Sequence, residues 1–280
     1  VFSPAAVSSK RSSSGLVARA LVISKRLRPA MGRLEANISL SGSKLQKSNI
    51  SRAKFCASFK LLTRQKAEST TFSSTVKPLR GKTTIFNLIN QYFPLTAGDI
   101  FFKDKSIKGL NTYKICHLGI GRTFQVVKPI KRMTVLENVV ASAFCRVNTF
   151  KEAQNLALEM LDFCNLLPDK DKFASSLPIA GRKRLEITRA LATKPELLLL
   201  DETAAGLNTA ELDEAIELIQ KIRARGVTII IVEHIMKVIM TITDRIHAIN
   251  YGQTIAEGTP EEVANDKEVI KAYLGEESYA

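Results

Sequence analysis

Leu197-Leu198-Leu199-Leu200-Asp201-Glu202 is the stretch on which the fold turns. Four successive leucines do not alternate with polar residues, so both faces of the segment must be covered. That is the pattern of a strand inside a parallel sheet with helices packed on either side. Val227 to Val232, followed by Glu233-His234, repeats the pattern with β-branched residues that favour strands. Between the two, Thr209 to Arg225 has helical spacing and stops at Gly226. Each strand then presents polar residues at its carboxyl end, Asp201 and Glu202 on one and His234 on the other.

Further out, the texture holds back to Gly81 and on to the C-terminus. Helical spacing runs from Gly81 to Phe93, Asn111 to Leu118, Thr134 to Arg146, Lys151 to Cys164, Arg182 to Thr193 and Glu261 to Leu274. Short strands are predicted over Gly98 to Phe102 and Ile120 to Phe124. Arg245 to Asn250 and Thr254 to Glu257 predict a hairpin around Tyr251-Gly252. Strands alternating with helices predict an α/β domain with a largely parallel sheet over residues 81–280.

Residues 1–80 differ. They are rich in Ser, Lys and Arg, and their apolar residues show no sustained period, so no core element is expected there. The composition is that of an organellar transit peptide, a disordered tail or a segment not native to the fold. The net charge of +14 arises here: residues 1–80 hold 16 Lys+Arg against Glu35 and Glu68, whereas residues 81–280 hold 25 of each sign. A basic nucleic-acid face on the folded part is therefore not supported. Cys56, Cys116, Cys145 and Cys164 form no CxxC pair or metal spacing and read as reduced thiols. The longest apolar candidate, Val227 to Ile249, is interrupted by Glu233, His234, Lys237, Asp244 and Arg245. No membrane span is expected, and work at a membrane would require docking on a partner.

Four sets of residues carry chemistry. Gly81-Lys82-Thr83-Thr84 is the end of a phosphate loop, where N–H groups opening a helix face an anion. Lys82 would reach the β and γ phosphates and Thr83 would hold Mg²⁺. Asp201 at a strand end enters the Mg²⁺ shell, and Glu202 polarises the attacking water. His234 is placed to meet the γ phosphate. Gln125, ending Gly121-Arg122-Thr123-Phe124-Gln125, touches the metal and the water and senses the nucleotide.

In order and spacing these pieces resemble the ATPases of ABC transporters. The resemblance assigns Gly81 to Thr84 to the end of Walker A, Gln125 to the Q-loop and Leu177 to Gly181 to the signature. It assigns Asp201 and Glu202 to Walker B, Ala205 to Asn208 to the D-loop and His234 to the switch histidine. The segments GIGRTFQ, MTVLENV, RKRLEITRALATKPELLLLDE, AAGLN, IIIVEHIMKVI and NYGQTIAEGTPEEV look like the ATPases of branched-chain amino acid importers. The resemblance covers about 200 residues, all after Arg80.

It implies a P-loop NTPase-type nucleotide-binding domain with a helical subdomain at about 126–176. It implies ATP and Mg²⁺ as cofactors, with Thr83, Gln125 and Asp201 on the metal and Glu202, His234 and Gln125 in catalysis. Gly81, Lys82, Thr83 and Thr84 would hold one face of the nucleotide. Ala180 and Gly181 of a second ATPase subunit would close on the other. Expected partners are that second subunit, transmembrane permease subunits and, indirectly, a periplasmic or extracellular substrate-binding protein. The expected place is peripheral, on the cytoplasmic face of the plasma or inner membrane.

There are departures from the family pattern. The antiparallel β subdomain before the loop, with its adenine-stacking aromatic residue, is absent or degraded in residues 1–80. Val76 stands where the first loop glycine belongs, Pro178 where the signature serine belongs, and Thr203 where a proline follows Walker B. Pro78 removes an N–H donor, and none of Lys77, Pro78, Leu79 and Arg80 takes positive φ freely. The expectation is weak ATP binding by this chain. Two alternatives stay open at this point: a non-catalytic remnant of the same fold, and a nucleic-acid-associated ABC protein.

Overall fold

The computed structural model describes residues 19–24, 83–95, 98–124, 129–250 and 253–274, and every structural statement concerns these. The chain opens with β1 (Arg19–Ser24), α1 (Thr83–Ile89), β2 (Phe101–Phe102), β3 (Lys105–Ser106) and α2 (Thr112–Leu118). Then come β4 (Ile120–Arg122), α3 (Val135–Ala143), α4 (Phe150–Phe163), α5 (Ile179–Ala192) and β5 (Leu197–Asp201). The rest is α6 (Thr209–Ala224), β6 (Thr228–Glu233), α7 (Met236–Ile242), β7 (Arg245–Asn250), β8 (Gln253–Gly258), α8 (Pro260–Ala264) and α9 (Lys267–Leu274).

The described strands form a six-stranded sheet in the order β4-β5-β6-β1-β7-β8, and β2 and β3 form a separate two-stranded ribbon. β4, β5 and β6 are parallel, with Gly121 opposite Leu198 and Leu199 opposite Ile230. Alternate residues of the leucine run face opposite ways. Leu198 and Leu200 join Ile229 and Ile231 in a core with Leu185, Leu161 and Ile222. Leu197 and Leu199 join Ile230 and Val232 in a second core with Phe86, Ile107 and Ile115. Both faces are sealed, which is why the sequence carries no polar alternation there.

Helix boundaries follow local chemistry. Thr134, Thr149, Asn208 and Thr259 each accept from the backbone three residues on. A glutamate at that position (Glu137, Glu152, Glu211 or Glu262) bonds back in a full capping box. Gly119 ends α2 at φ 108, a left-handed value that a side chain resists.

Four expectations are corrected. The sheet is mixed, because only β4, β5 and β6 run parallel; β1 pairs antiparallel with both β6 and β7, and β7 with β8. Residues 19–24 were expected to hold no core element, yet they supply β1. Their short apolar run is too brief for a period to show, and the open edges of β6 and β7 supply the backbone partners. The remainder of residues 1–80 lies outside the described residues. α5 begins at Ile179 rather than Arg182, because Pro178 with φ −62 fits the N-cap and needs no donor. The C-terminal helix is two helices: Asp266 Oδ1 accepts from Glu268 N at 2.9 Å and Val269 N at 3.1 Å, restarting the chain as α9. In addition, α7, which follows His234, had no counterpart in the sequence reading.

Asn138, fully buried on α3, fastens the segment that leads into that helix. Its Oδ1 accepts from Ile130 N at 2.9 Å, and its Nδ2 donates to the carbonyls of Ile130, Met133 and Thr134 at 3.2, 3.3 and 2.8 Å. Asn138→Ala should cost about 1–3 kcal/mol in urea unfolding. Asn138→Asp should cost more, because a carboxylate would face three carbonyl oxygens. Equal stability of the two variants would contradict the assigned network.

Candidate functional site

β5 ends on Asp201, which is 1% exposed. A carboxylate so enclosed needs a cation or donors. Arg122, at the end of the neighbouring β4, provides the cation: its Nη2 lies 3.3 Å from Asp201 Oδ2. Arg122 Nη1 donates to Asn87 Oδ1 on α1 at 2.7 Å. The guanidinium also lies over the rings of Phe86 and Phe124, 5.7 and 5.0 Å from their centroids. Burial lowers the Arg122 pKa, and Asp201 opposes that shift. Thr123 completes the support, since its Oγ1 accepts from Asp201 N at 3.1 Å and donates to Leu199 O at 3.3 Å.

Glu202 follows in the left-handed region at φ 49, unusual for a residue with a side chain and a form of strain that clusters at functional sites. Its N–H donates to Val232 O at 3.0 Å, which carries the β5–β6 register one residue past the strand. The parallel register therefore puts Asp201 and Glu202 beside the end of β6, where Glu233 and His234 emerge. Glu233 is fully buried and accepts from Ala204 N at 2.9 Å, holding the turn after Glu202. Burial raises its pKa. His234 is half-buried, and its Nδ1 has no hydrogen-bond partner among the described residues.

α5 reaches the same site from the side. Lys183 Nζ donates to the carbonyls of Glu202 at 3.4 Å and Thr203 at 3.1 Å, and also to that of Ala205. One turn on, Glu186 Oε1 accepts from Phe124 N at 2.6 Å, gripping the backbone beside Gln125. α5 thus ties the turn after β5 to the segment after β4. A cavity of about 10 Å³ lies between Thr123, Phe124, Lys183, Glu186, Asp201 and Glu202.

The structure brings Asp201, Glu202 and His234 to one edge of the sheet. Thr84 lies half-buried on α1, whose Asn87 touches the site through Arg122. Ala180 and Gly181 occupy the first turn of α5, half-buried, beside the exposed Ile179. Gly81, Lys82 and Gln125 lie outside the described residues, and Thr83 is described only as the first residue of α1. The hard carboxylate oxygen of Asp201 suits Mg²⁺, although Arg122 now shares that carboxylate. Sequence reading passed over Arg122, Lys183, Glu186 and Glu233. Charged residues inside strongly apolar or helical runs were the available signal, but the partners that place them in the site are 19 to 79 positions away.

The family model for ABC transporters matches residues 80–205. A model for the branched-chain amino acid ATP-binding cassette transporter C-terminus matches residues 253–279. The chain is 40% identical over 212 residues to the high-affinity branched-chain amino acid transport ATP-binding protein LivG of Escherichia coli. That alignment covers 70% of this chain and 83% of LivG. The ADP conformation of a solved ATP-binding cassette of an ABC transporter matches with TM-score 0.62 and 30% identity, over 70% of this chain and 84% of that one. A dimeric, post-hydrolysis cassette bound to ADP and Pi matches with TM-score 0.58 and 25% identity, over 64% of this chain and 81% of that one.

Burial raises the Glu186 pKa from 4.5 to about 7, against the opposing Phe124 N–H and the charges of Arg189, Lys183 and Arg122. The folded value lies above the unfolded one, so this group's contribution is full below about 4.5 and is lost as pH rises through about 7. Glu186→Gln has no proton to lose. Urea unfolding should show the stability drop between about pH 5 and about pH 8 shrinking by about 2–3 kcal/mol in the variant. An unchanged drop would remove Glu186 as its source.

Proposed function

This chain belongs to the ABC transporter family of ATP-binding subunits, and from that premise we propose that it binds and hydrolyses ATP to energise import of branched-chain amino acids. The observation that carries the reading is the 40% identity with LivG over 212 residues. The match of residues 253–279 to the branched-chain amino acid C-terminal model supports the substrate class.

In this reading Asp201, Thr83 and Gln125 would hold Mg²⁺, and Lys82 would contact the β and γ phosphates. Glu202 would take the proton of the attacking water, and His234 would meet the γ phosphate. Glu202 is turned out of the strand direction by its positive φ, so Asp201 and Glu202 do separate work although adjacent. Ala180 and Gly181 of a second subunit close the nucleotide from the opposite side, as expected of a dimer. The helical subdomain, about residues 126–176, meets the permease subunits. Adjacent Met133 and Phe173, 36% and 57% exposed, offer apolar surface there. A substrate-binding protein acts on the far side of the membrane, and the chain itself sits on the cytoplasmic face. Among the described residues no helix is long and apolar enough to cross a bilayer.

The second reading, a cassette that holds nucleotide poorly, was raised by Val76, Pro78, Leu79 and Arg80 ahead of Lys82, and the similarity to LivG does not favour it. Titration with a fluorescent ATP analogue separates the two. Micromolar, Mg²⁺-dependent binding that disappears in Lys82→Ala would exclude the second reading.

Glu202→Gln should lower phosphate release at saturating MgATP by at least about 100-fold while leaving nucleotide affinity within about threefold. The amide keeps the shape of the carboxylate but cannot accept the proton. Turnover at the level of the unmodified chain would refute the assignment.

A further inference from the structure

Cys116 sits near the end of α2, and Cys145 lies just past α3. Their Sγ atoms are 3.5 Å apart although 29 positions separate them. Neither is sealed, since both are half-buried, whereas Cys164 is 1% exposed. The two helices belong to opposite sides of the sheet. Ile115, beside Cys116, packs in the core with Phe86 and Leu199, and Ala143, just before Cys145, packs in the core with Leu198 and Leu200. The thiols thus meet around the outer side of β4, the last strand of the described sheet.

The surroundings hold this meeting point in place. Arg146, next to Cys145, donates from Nη2 to Cys116 O at 3.0 Å and from Nη1 to His117 O at 2.9 Å. Its Nε donates to Thr193 O at the end of α5. A guanidinium on helix-terminal carbonyls is favoured by both hydrogen bonding and the helix dipole. The approach of the sulfurs is therefore set by backbone-anchored contacts. A disulfide needs the sulfurs at about 2.05 Å, a closure of about 1.5 Å.

We propose that Cys116 and Cys145 form a reversible disulfide site, oxidised by a small-molecule disulfide such as oxidised glutathione, that clips α2 to the end of α3. Cys116 as thiolate attacks one sulfur of oxidised glutathione. A mixed disulfide forms and one glutathione thiolate leaves, which takes up the proton that Cys116 lost. Cys145 then attacks the Cys116 sulfur of the mixed disulfide. The protein S–S bond forms, and the second glutathione leaves and takes the Cys145 proton. Two protein thiols are oxidised and one glutathione disulfide is reduced to two thiols. Burial and contact with Cys116 push the Cys145 thiol up to about 11, which leaves the first attack to Cys116, and Cys145 attacks second as it gives up its proton. His117 Nδ1, 3.8 Å from Cys145 Sγ, is positioned to relay that proton. The bond would hold the start of the helical region against α2, restricting motion between the two cores.

The test uses the full chain and does not depend on ATP turnover. The protein is incubated with oxidised glutathione, alkylated and mapped by mass spectrometry without reduction. The expected result is a Cys116–Cys145 cross-linked peptide pair, loss of two of the four thiols and full reversal by dithiothreitol. Oxidation should raise Tm by roughly 5–10 °C and slow amide exchange over residues 135–146. Cys56→Ser should keep the link, whereas Cys116→Ser or Cys145→Ser should lose both the link and the Tm shift. Alkylation of Cys116 and Cys145 after the treatment would overturn the proposal. So would links joining either residue to Cys56 or to another molecule.

Discussion

A nearly sealed carboxylate at the end of a buried strand, Asp201 against Arg122, sets the terms for the rest of the site. A charge at 1% exposure is tolerated only with a fixed counter-charge, and breaking such a pair from one side typically costs about 3–5 kcal/mol. Meeting that requirement recruits Asn87 from α1, Phe86 beneath the guanidinium and Phe124 beyond β4. The helix that follows the phosphate loop, the strand that precedes Gln125 and the strand that carries Asp201 are thereby tied at one point. Segments far apart in sequence meet at this one buried pair.

α5 is the second organiser. Lys183 and Glu186 are three positions apart and therefore on one face of the helix. One holds the carbonyls after Glu202, and the other holds the N–H of Phe124. The same helix begins with Ile179, Ala180 and Gly181, the segment proposed to close on a second subunit's nucleotide. A shift of α5 would therefore be felt at the turn after β5 and at the approach to Gln125 together. Arg146 adds a third tie, at the far end of α5, through Thr193 O. Few of these contacts are between exposed ions. They are hydrogen bonds to backbone, which keep their geometry better than surface pairs do.

β1 shows how backbone demand shapes the sheet. β6 and β7 each have an edge that would otherwise be unpaired, and Arg19–Ser24 fills the space with antiparallel ladders on both sides. A strand in this orientation ends, at Ser24, beside Ile229, the opposite end of β6 from His234.

The sequence by itself determined much of the catalytic half. Runs sealed on both faces need no alternation, so Leu197 to Leu200 and Val227 to Val232 announced parallel buried strands with Asp201, Glu202 and His234 at their ends. Helix starts were equally legible at Thr134 and Thr209, where the structure places an N-cap and a first helical residue, because helix starts are set by near neighbours. α7 was missed because Met236–Ile242 is short and mostly apolar, and the break at Asn265-Asp266 because a polar pair inside a helical period looks like a solvated face. Only the tertiary structure decided which charges meet: Arg122 with Asp201, Lys183 with the turn after Glu202, Glu186 with Phe124 N, Cys116 with Cys145. Local spacing records which side of its own element a residue occupies. It holds no record of which distant residue the packing of two cores around one sheet will bring against it.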